Sequence, residues 1–147
     1  MAIVSVDRVK VQASASDKLD AIRQAGELLV RGGCAQPAYV DGMLAREQTM
    51  STYIGNGVAI PHGQFENRAD VLATGVSVVQ FPEGVEWEPG ERAYLVIGIA
   101  ADAEEHLGVL ANLAEVIEDP EAAEQLARLA DPSQIVACLS RERVEEA

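Results

Sequence analysis

Apolar residues recur at helical spacing through Leu19, Ile22, Ala25, Leu28 and Leu29, which predicts an amphipathic helix. Ser16-Asp17 supply its N-terminal cap, and Gly32-Gly33 supply the backbone freedom that a helix end needs. A second helix starts near Pro37, favoured in a first turn, and runs through Val40, Met43 and Leu44 towards Gln48. Arg46 and Glu47 fall in its last turns. Before these helices, residues 9–12 alternate apolar with polar and predict a short first strand, which residues 3–6 could begin.

Strand patterns dominate the middle of the chain. Val58-Ala59-Ile60 reads as a short buried strand, with Ile60 as its last residue because Pro61 biases its predecessor towards extended backbone. Residues 65–70 read as a polar loop, and residues 74–81, with Val76, Val78 and Val79, as a strand. Pro82-Glu83-Gly84 and Glu88-Pro89-Gly90 are turn sequences on either side of a brief extended piece, Val85-Glu86-Trp87. Residues 93–100, AYLVIGIA, are almost wholly apolar, as a central strand covered on both faces would be. From Glu104 a helical pattern resumes with Leu107, Leu110, Leu113, Ala114 and Ile117. Asp119-Pro120 and Asp131-Pro132 start two further short helices, and the charged tail after Leu139 is expected to fray. The expectation is an α/β fold: a single domain over residues 1–147 with a central sheet between helices on both faces.

Composition narrows the class. A chain of 147 residues can bury a core without disulfides or metals. Although 48% of it is hydrophobic, no apolar run approaches the roughly 18 residues of a membrane span, so no membrane insertion is expected. The start, MAIVSVDRVK, lacks the basic-then-apolar layout of a secretion signal, which predicts a cytoplasmic protein. Cys34 and Cys138 have no neighbouring ligand pattern, so neither a disulfide framework nor a zinc site is expected. A formal charge of −13 argues against nucleic acid as a partner and for attraction to basic protein surfaces.

The chemistry concentrates in residues 51–63, STYIGNGVAIPHG. A glycine turn, Gly55-Asn56-Gly57, leads into the short strand, and Pro61-His62-Gly63 follows it. Proline makes a rigid exit, and glycine leaves the imidazole approachable. The chain has two histidines, and the other, His106, lies in the first turn of the helix after the apolar strand. Ligand sites of α/β sheets gather beyond strand ends, so the two histidines are candidates to meet there. Spacing alone leaves the plainer readings open: His62 in an ordinary loop, His106 solvated beside Glu104 and Glu105, Arg46 paired with Glu47 or Asp41, Thr52 satisfying a turn.

Arg46-Glu47, Ser51-Thr52, Gly55-Asn56-Gly57 and Ala59-Ile60-Pro61-His62-Gly63 together resemble the signature of the mannitol/fructose-type enzyme IIA components of the bacterial sugar phosphotransferase system. The resemblance runs from about Val9 to Cys138 and looks closest to the mannitol branch. It implies a type-2 enzyme IIA domain with a mixed sheet, in which His62 is the phosphorylated nucleophile. It also implies that His106, in the context Ala103-Glu104-Glu105-His106-Leu107, donates a hydrogen bond to the phosphoryl group, with Arg46 as a charge clamp and Thr52 as a further hydroxyl donor. Arginine suits the clamp because its planar fork binds two oxygens and its charge is permanent.

By the same resemblance, the donor is the histidine phosphocarrier protein. The acceptor is the mannitol enzyme IIB, alone or fused to IIC, which would receive the group on cysteine. No cofactor and no metal are expected, since no acidic constellation resembles a magnesium site. The sugar-transporting parts would be separate proteins, and an apolar patch including Phe65 would surround His62. The rivals are a fructose-type component, a regulatory nitrogen-type relative that signals by phosphorylation state, and a metal-dependent hydrolase using both histidines with Glu104 or Glu47.

Overall fold

The structure is a computed structural model that describes residues 4–101, 111, 115 and 118–140. Five strands form one mixed sheet: β1 (Val9–Lys10), β2 (Tyr53–Gly55), β3 (Val58–Ala59), β4 (Gly75–Glu88) and β5 (Glu91–Ala100), in the order β1-β4-β5-β3-β2. β1 runs parallel to β4 and β3 parallel to β5, while the β4–β5 and β2–β3 pairs are antiparallel. The apolar run at residues 93–100 is the central strand that its sequence predicts.

Helices cover both faces. On one side α1 (Lys18–Arg31) and α2 (Ala38–Thr49) bury Ile22, Ala25, Leu29, Tyr39 and Met43 against Val79, Phe81, Val96 and Ala100. On the other, α3 (Pro120–Arg128) and α4 (Pro132–Ser140) bury Leu126, Ile135 and Leu139 against Val76, Val78, Leu95, Ile97 and Ile99. α1 starts where expected, because the Asp17 carboxylate accepts the Asp20 N–H at 2.9 Å. α3 is capped likewise by Asp119, with Pro120 opening the helix. Buried polar groups lock the layers together: the Ser77 hydroxyl donates to the Ala25 carbonyl on α1 at 2.8 Å. The Gln80 amide donates to the Leu126 and Leu129 carbonyls at 3.1 and 2.6 Å, pinning the end of α3.

Four expectations change. The beginning of the first strand is a short 3-10 turn, Val6–Arg8, closed by the Arg8 N–H donating to Ser5. The turn expected at Pro82-Glu83-Gly84 is a bulge inside one long strand, with the register shifting between Gln80 and Val85. Arg92 of β5 donates to the Glu83 and Gly84 carbonyls that the ladder leaves over, at 3.1 and 3.0 Å, and this keeps the strand continuous. The polar loop at 65–70 is a 3-10 helix, Phe65–Asp70, started by a reciprocal Gln64–Asn67 capping box. β3 ends at Ala59, not Ile60, and pairing resumes three residues later as a parallel bridge between His62 and Ile99.

Cys34 is buried and Cys138 half-buried, both as free thiols, and burial pushes the Cys34 thiol up. No helix among the described residues is long and apolar enough to cross a membrane. The helix expected from Glu104, and the tail beyond residue 140, lie outside the described residues.

Candidate functional site

The stretch 51–63 folds as a hairpin followed by an extension that stays on the sheet. Asn56 and Gly57 form its two-residue turn with φ of 55° and 78°. Left-handed backbone at both positions is the hairpin turn that Asn-Gly favours. The Asn56 amide also donates to the Glu118 carbonyl at 3.3 Å, so this side chain has an anchoring contact where the sequence suggested no role. Beyond β3, Pro61 accepts the Ile99 N–H at 3.0 Å. His62 therefore lies beyond the end of β3 and beside the last residues of β5, at the strand-end position where α/β sheets place ligands.

Three contacts hold it there. The ring Nδ1 lies 2.8 Å from the carbonyl oxygen of its near neighbour Ile60. The Gly63 N–H donates to the Tyr39 hydroxyl at 2.9 Å, and that hydroxyl donates to the Ile99 carbonyl at 2.8 Å. Glycine is required at 63, since a β-carbon would come within 2.5 Å of the Tyr39 ring. A tyrosine on α2 thus ties together the strand that carries the site and the loop that leaves it.

The contact with Ile60 fixes the chemistry of the imidazole. A carbonyl oxygen only accepts, so in the neutral ring the hydrogen sits on Nδ1 and the lone pair on Nε2. Burial, the largest influence, holds the His62 pKa below the usual histidine range; the nearby Arg46 charge adds to this, while the Ile60 carbonyl and the Glu47 charge oppose it. The ring is neutral and pre-oriented at neutral pH, the form in which an imidazole nitrogen can act as a nucleophile.

Arg46 and Glu47 are adjacent in sequence but serve different surroundings. Arg46 is half-buried in the last turn of α2, and its Nη1 donates to the Met50 carbonyl at 2.6 Å. Its cationic field reaches His62. Glu47 is only 4% exposed and accepts from the Thr52 hydroxyl at 2.6 Å, the Thr52 N–H at 3.2 Å, the Trp87 indole at 3.0 Å and Lys18 at 3.3 Å. Lys18 also pairs with Glu88 at 2.9 Å.

Arg46, Thr52 and His62 are therefore gathered around one strand end. Thr52, also 4% exposed, gives its hydroxyl hydrogen to Glu47 and so faces inward. His106 and Glu104 lie outside the described residues, as does the side chain of Phe65. Among the described residues, no group of three or more His, Cys, Asp or Glu side chains is placed to hold a metal ion. Tyr39 and Trp87 were not singled out by sequence. A tyrosine in a helix and a tryptophan between two turns carry no spacing signal for contacts made so far along the chain.

The fold and this strand end define an α/β domain that presents one tautomer of a neutral histidine next to an arginine, a layout suited to accepting an anionic group. The chain belongs to the type-2 enzyme IIA family: residues 2–142 match the family described as phosphoenolpyruvate-dependent sugar phosphotransferase system, EIIA 2. It is 48% identical over 143 residues to the multiphosphoryl transfer protein of Escherichia coli O157:H7, covering 97% of this chain and 38% of that one. The chain thus spans well under half of that relative. It is 42% identical over 137 residues to the mannitol-specific phosphotransferase enzyme IIA component of Halalkalibacterium halodurans, covering 93% of this chain and 94% of the relative. Among solved structures, it resembles enzyme IIA in the Escherichia coli complex of mannitol enzyme IIA with phosphorylated mannitol enzyme IIB. The TM-score is 0.87 at 39% identity, covering 92% of this chain and 95% of that one.

Proposed function

We propose that this chain is a cytoplasmic phosphocarrier that accepts a phosphoryl group on His62 from the phosphorylated histidine phosphocarrier protein and passes it to a mannitol enzyme IIB. The observation that carries the reading is the Nδ1 contact with Ile60 at 2.8 Å, which leaves the nucleophilic lone pair on Nε2 of a ring kept neutral by burial. The Nε2 lone pair attacks the phosphorus of the donor's phosphohistidine. A nitrogen–phosphorus bond forms on His62 as the donor's bond breaks, and the electron pair returns to the donor imidazole. In the second half, the acceptor's cysteine thiolate attacks the same phosphorus, and Nε2 recovers its lone pair.

The transition state is loose and spreads negative charge over the equatorial oxygens, so the protein has to position and neutralise. Arg46, already biasing His62 against carrying its own positive charge, is the clamp for those oxygens. His106 is the proposed hydrogen-bond donor to the phosphoryl group. Thr52 contributes by holding the strand, since its hydroxyl is given to Glu47. Met50, 65% exposed beside Arg46, and Ile54, 46% exposed, supply apolar surface for a docking partner. Basic partners would be steered by the net charge of −13.

The mannitol assignment rests on the relatives named for mannitol; the 48% identity to a multiphosphoryl transfer protein supports a domain of the same transfer chemistry within a longer polypeptide. The test is intact-protein mass spectrometry after incubation with phosphoenolpyruvate, enzyme I and the histidine phosphocarrier protein. Wild type gains one acid-labile phosphoryl group, and His62→Ala gains none. Labelling that survives in His62→Ala would refute the reading. Transfer onward to purified mannitol and fructose enzymes IIB then separates the two sugars, and failure with both favours the regulatory role.

A further inference from the structure

Among the described residues, Glu47 is a buried charged residue at the site that the transfer step leaves without a task. A buried carboxylate persists only where donors meet its lone pairs. Here every partner is a donor: the Thr52 N–H and O–H, the Trp87 indole N–H and the Lys18 ammonium. Two of these donors belong to a single residue, Thr52, so the backbone at 52 cannot shift without stripping the carboxylate of its nearest partners.

What Thr52 does next is also visible. Its carbonyl accepts the Ile60 N–H at 3.0 Å, across the β2–β3 hairpin. The Ile60 carbonyl in turn accepts the Nδ1 hydrogen of His62 at 2.8 Å. The path from Glu47 to the imidazole is therefore an unbroken run of hydrogen bonds through Thr52 and Ile60. We propose that Glu47 is a positioning residue for His62, acting through Thr52 to place the Ile60 carbonyl that selects the Nδ1–H tautomer and aims Nε2.

The inference rests on the reading of His62 as the phosphoryl acceptor and adds to it Glu47, a residue to which that reading gives no task. A second effect accompanies the mechanical one. The Glu47 charge favours the imidazolium of His62, against burial and Arg46, which disfavour it. Among the described residues, the charged and titratable groups around Glu47 are Lys18 on α1, Arg46 on α2, Glu88 on β4 and the neutral ring of His62.

The experiment uses the full chain and three variants, Glu47→Gln, Thr52→Val and Thr52→Ser, with ¹⁵N-labelled histidine. Folding is followed by the emission of Trp87, the only tryptophan. Thr52→Val removes the hydroxyl bond while keeping shape, and Thr52→Ser restores it. The expected result for Thr52→Val is a drop of about tenfold in transfer rate at saturating donor, with the half-saturating donor concentration little changed. Ring ¹⁵N shifts of His62 should show Nε2–H tautomer mixing into the wild-type Nδ1–H form, and Thr52→Ser should reverse both effects. Glu47→Gln should lower the His62 titration midpoint below that of wild type.

Unchanged tautomer and rate in Thr52→Val would overturn the proposal, as would a loss of rate without any tautomer change. If Glu47→Gln does not fold, the Thr52 pair decides alone. Wild type that takes no phosphoryl group on His62 would instead refute the transfer reading, and the tautomer of Thr52→Val would still judge Glu47.

Discussion

The Nδ1 hydrogen of His62 is given to the carbonyl oxygen of Ile60 at 2.8 Å, within a segment that Pro61 stiffens and β5 holds in place. Phosphorylation at Nδ1 would require breaking that bond and turning a half-buried ring. Phosphorylation at Nε2 requires neither. The expected product is therefore the Nε2 phosphohistidine, checked by ³¹P–¹⁵N coupling in ring-labelled protein. Coupling on Nδ1 would mean that the ring flips before it reacts.

Acid should act on His62 in two ways. Its pKa lies below the usual histidine range, chiefly through burial. The neutral nucleophile consequently survives to lower pH than a solvent-exposed histidine would allow, and the acid limb of phosphoryl acceptance should fall below about pH 6.5, the unperturbed histidine value. The linkage to stability has the same sign. The unfolded chain takes up a proton at the ordinary value while the folded chain resists it, so this contribution is complete above the unfolded pKa. It is lost as pH falls from there through the folded pKa. Denaturant unfolding of wild type and His62→Gln from pH 7.5 down to 5 should show wild type losing more stability across that window.

Tyr39 offers a test of how the site is held. Its hydroxyl accepts from the Gly63 N–H and donates to the Ile99 carbonyl, so Tyr39→Phe leaves a half-buried donor and a buried acceptor without their partner. The expected destabilisation is about 1–3 kcal/mol. Gly63→Ala acts from the other side, forcing a β-carbon to within 2.5 Å of the ring. Overpacking of that kind costs about 1–3 kcal/mol, and here it also displaces the residue next to His62. Urea titrations followed by Trp87 emission measure both. Slower phosphoryl acceptance in Gly63→Ala than in Tyr39→Phe is expected, because only the former moves the backbone at 63.

These tethers mark where sequence reading reaches and where it stops. The start of α1 was legible because its cap is local: Asp17 and Asp20 are three residues apart. The cluster of Arg46, Thr52 and His62 was legible because all three belong to one short motif. Tyr39 was not, since its partners Gly63 and Ile99 lie 24 and 60 residues further on. Nor was the inward role of Glu47, whose contacts reach back 29 residues to Lys18 and forward 40 to Trp87. The bulge at Pro82-Glu83-Gly84 reads as a turn in sequence for a related reason. The local residues are turn formers, and what keeps the strand continuous is Arg92 on the partner strand. The 3-10 helix Phe65–Asp70 is different: its Gln64–Asn67 capping box is local and was there to be seen.

Arg46 separates the charge of the site from its shape. Its guanidinium donates to the Met50 carbonyl at 2.6 Å, and its positive charge disfavours protonation of His62. Arg46→Gln keeps a side chain able to donate but removes the charge, so the His62 titration midpoint should rise towards the ordinary histidine value. Were transfer limited only by the supply of neutral imidazole, this small rise would leave the rate at pH 8 unchanged. If Arg46 also meets the equatorial oxygens in the transition state, the rate at pH 8 should fall by on the order of 10²-fold, the usual loss when one preorganised donor is removed. Arg46→Lys then divides the effect further, because it keeps a cation but not the planar fork. Intermediate activity for Arg46→Lys would assign part of the effect to two-oxygen geometry, and full activity would assign all of it to charge. The pH-rate profiles of the three proteins, read with the His62 midpoint from NMR, distinguish these outcomes.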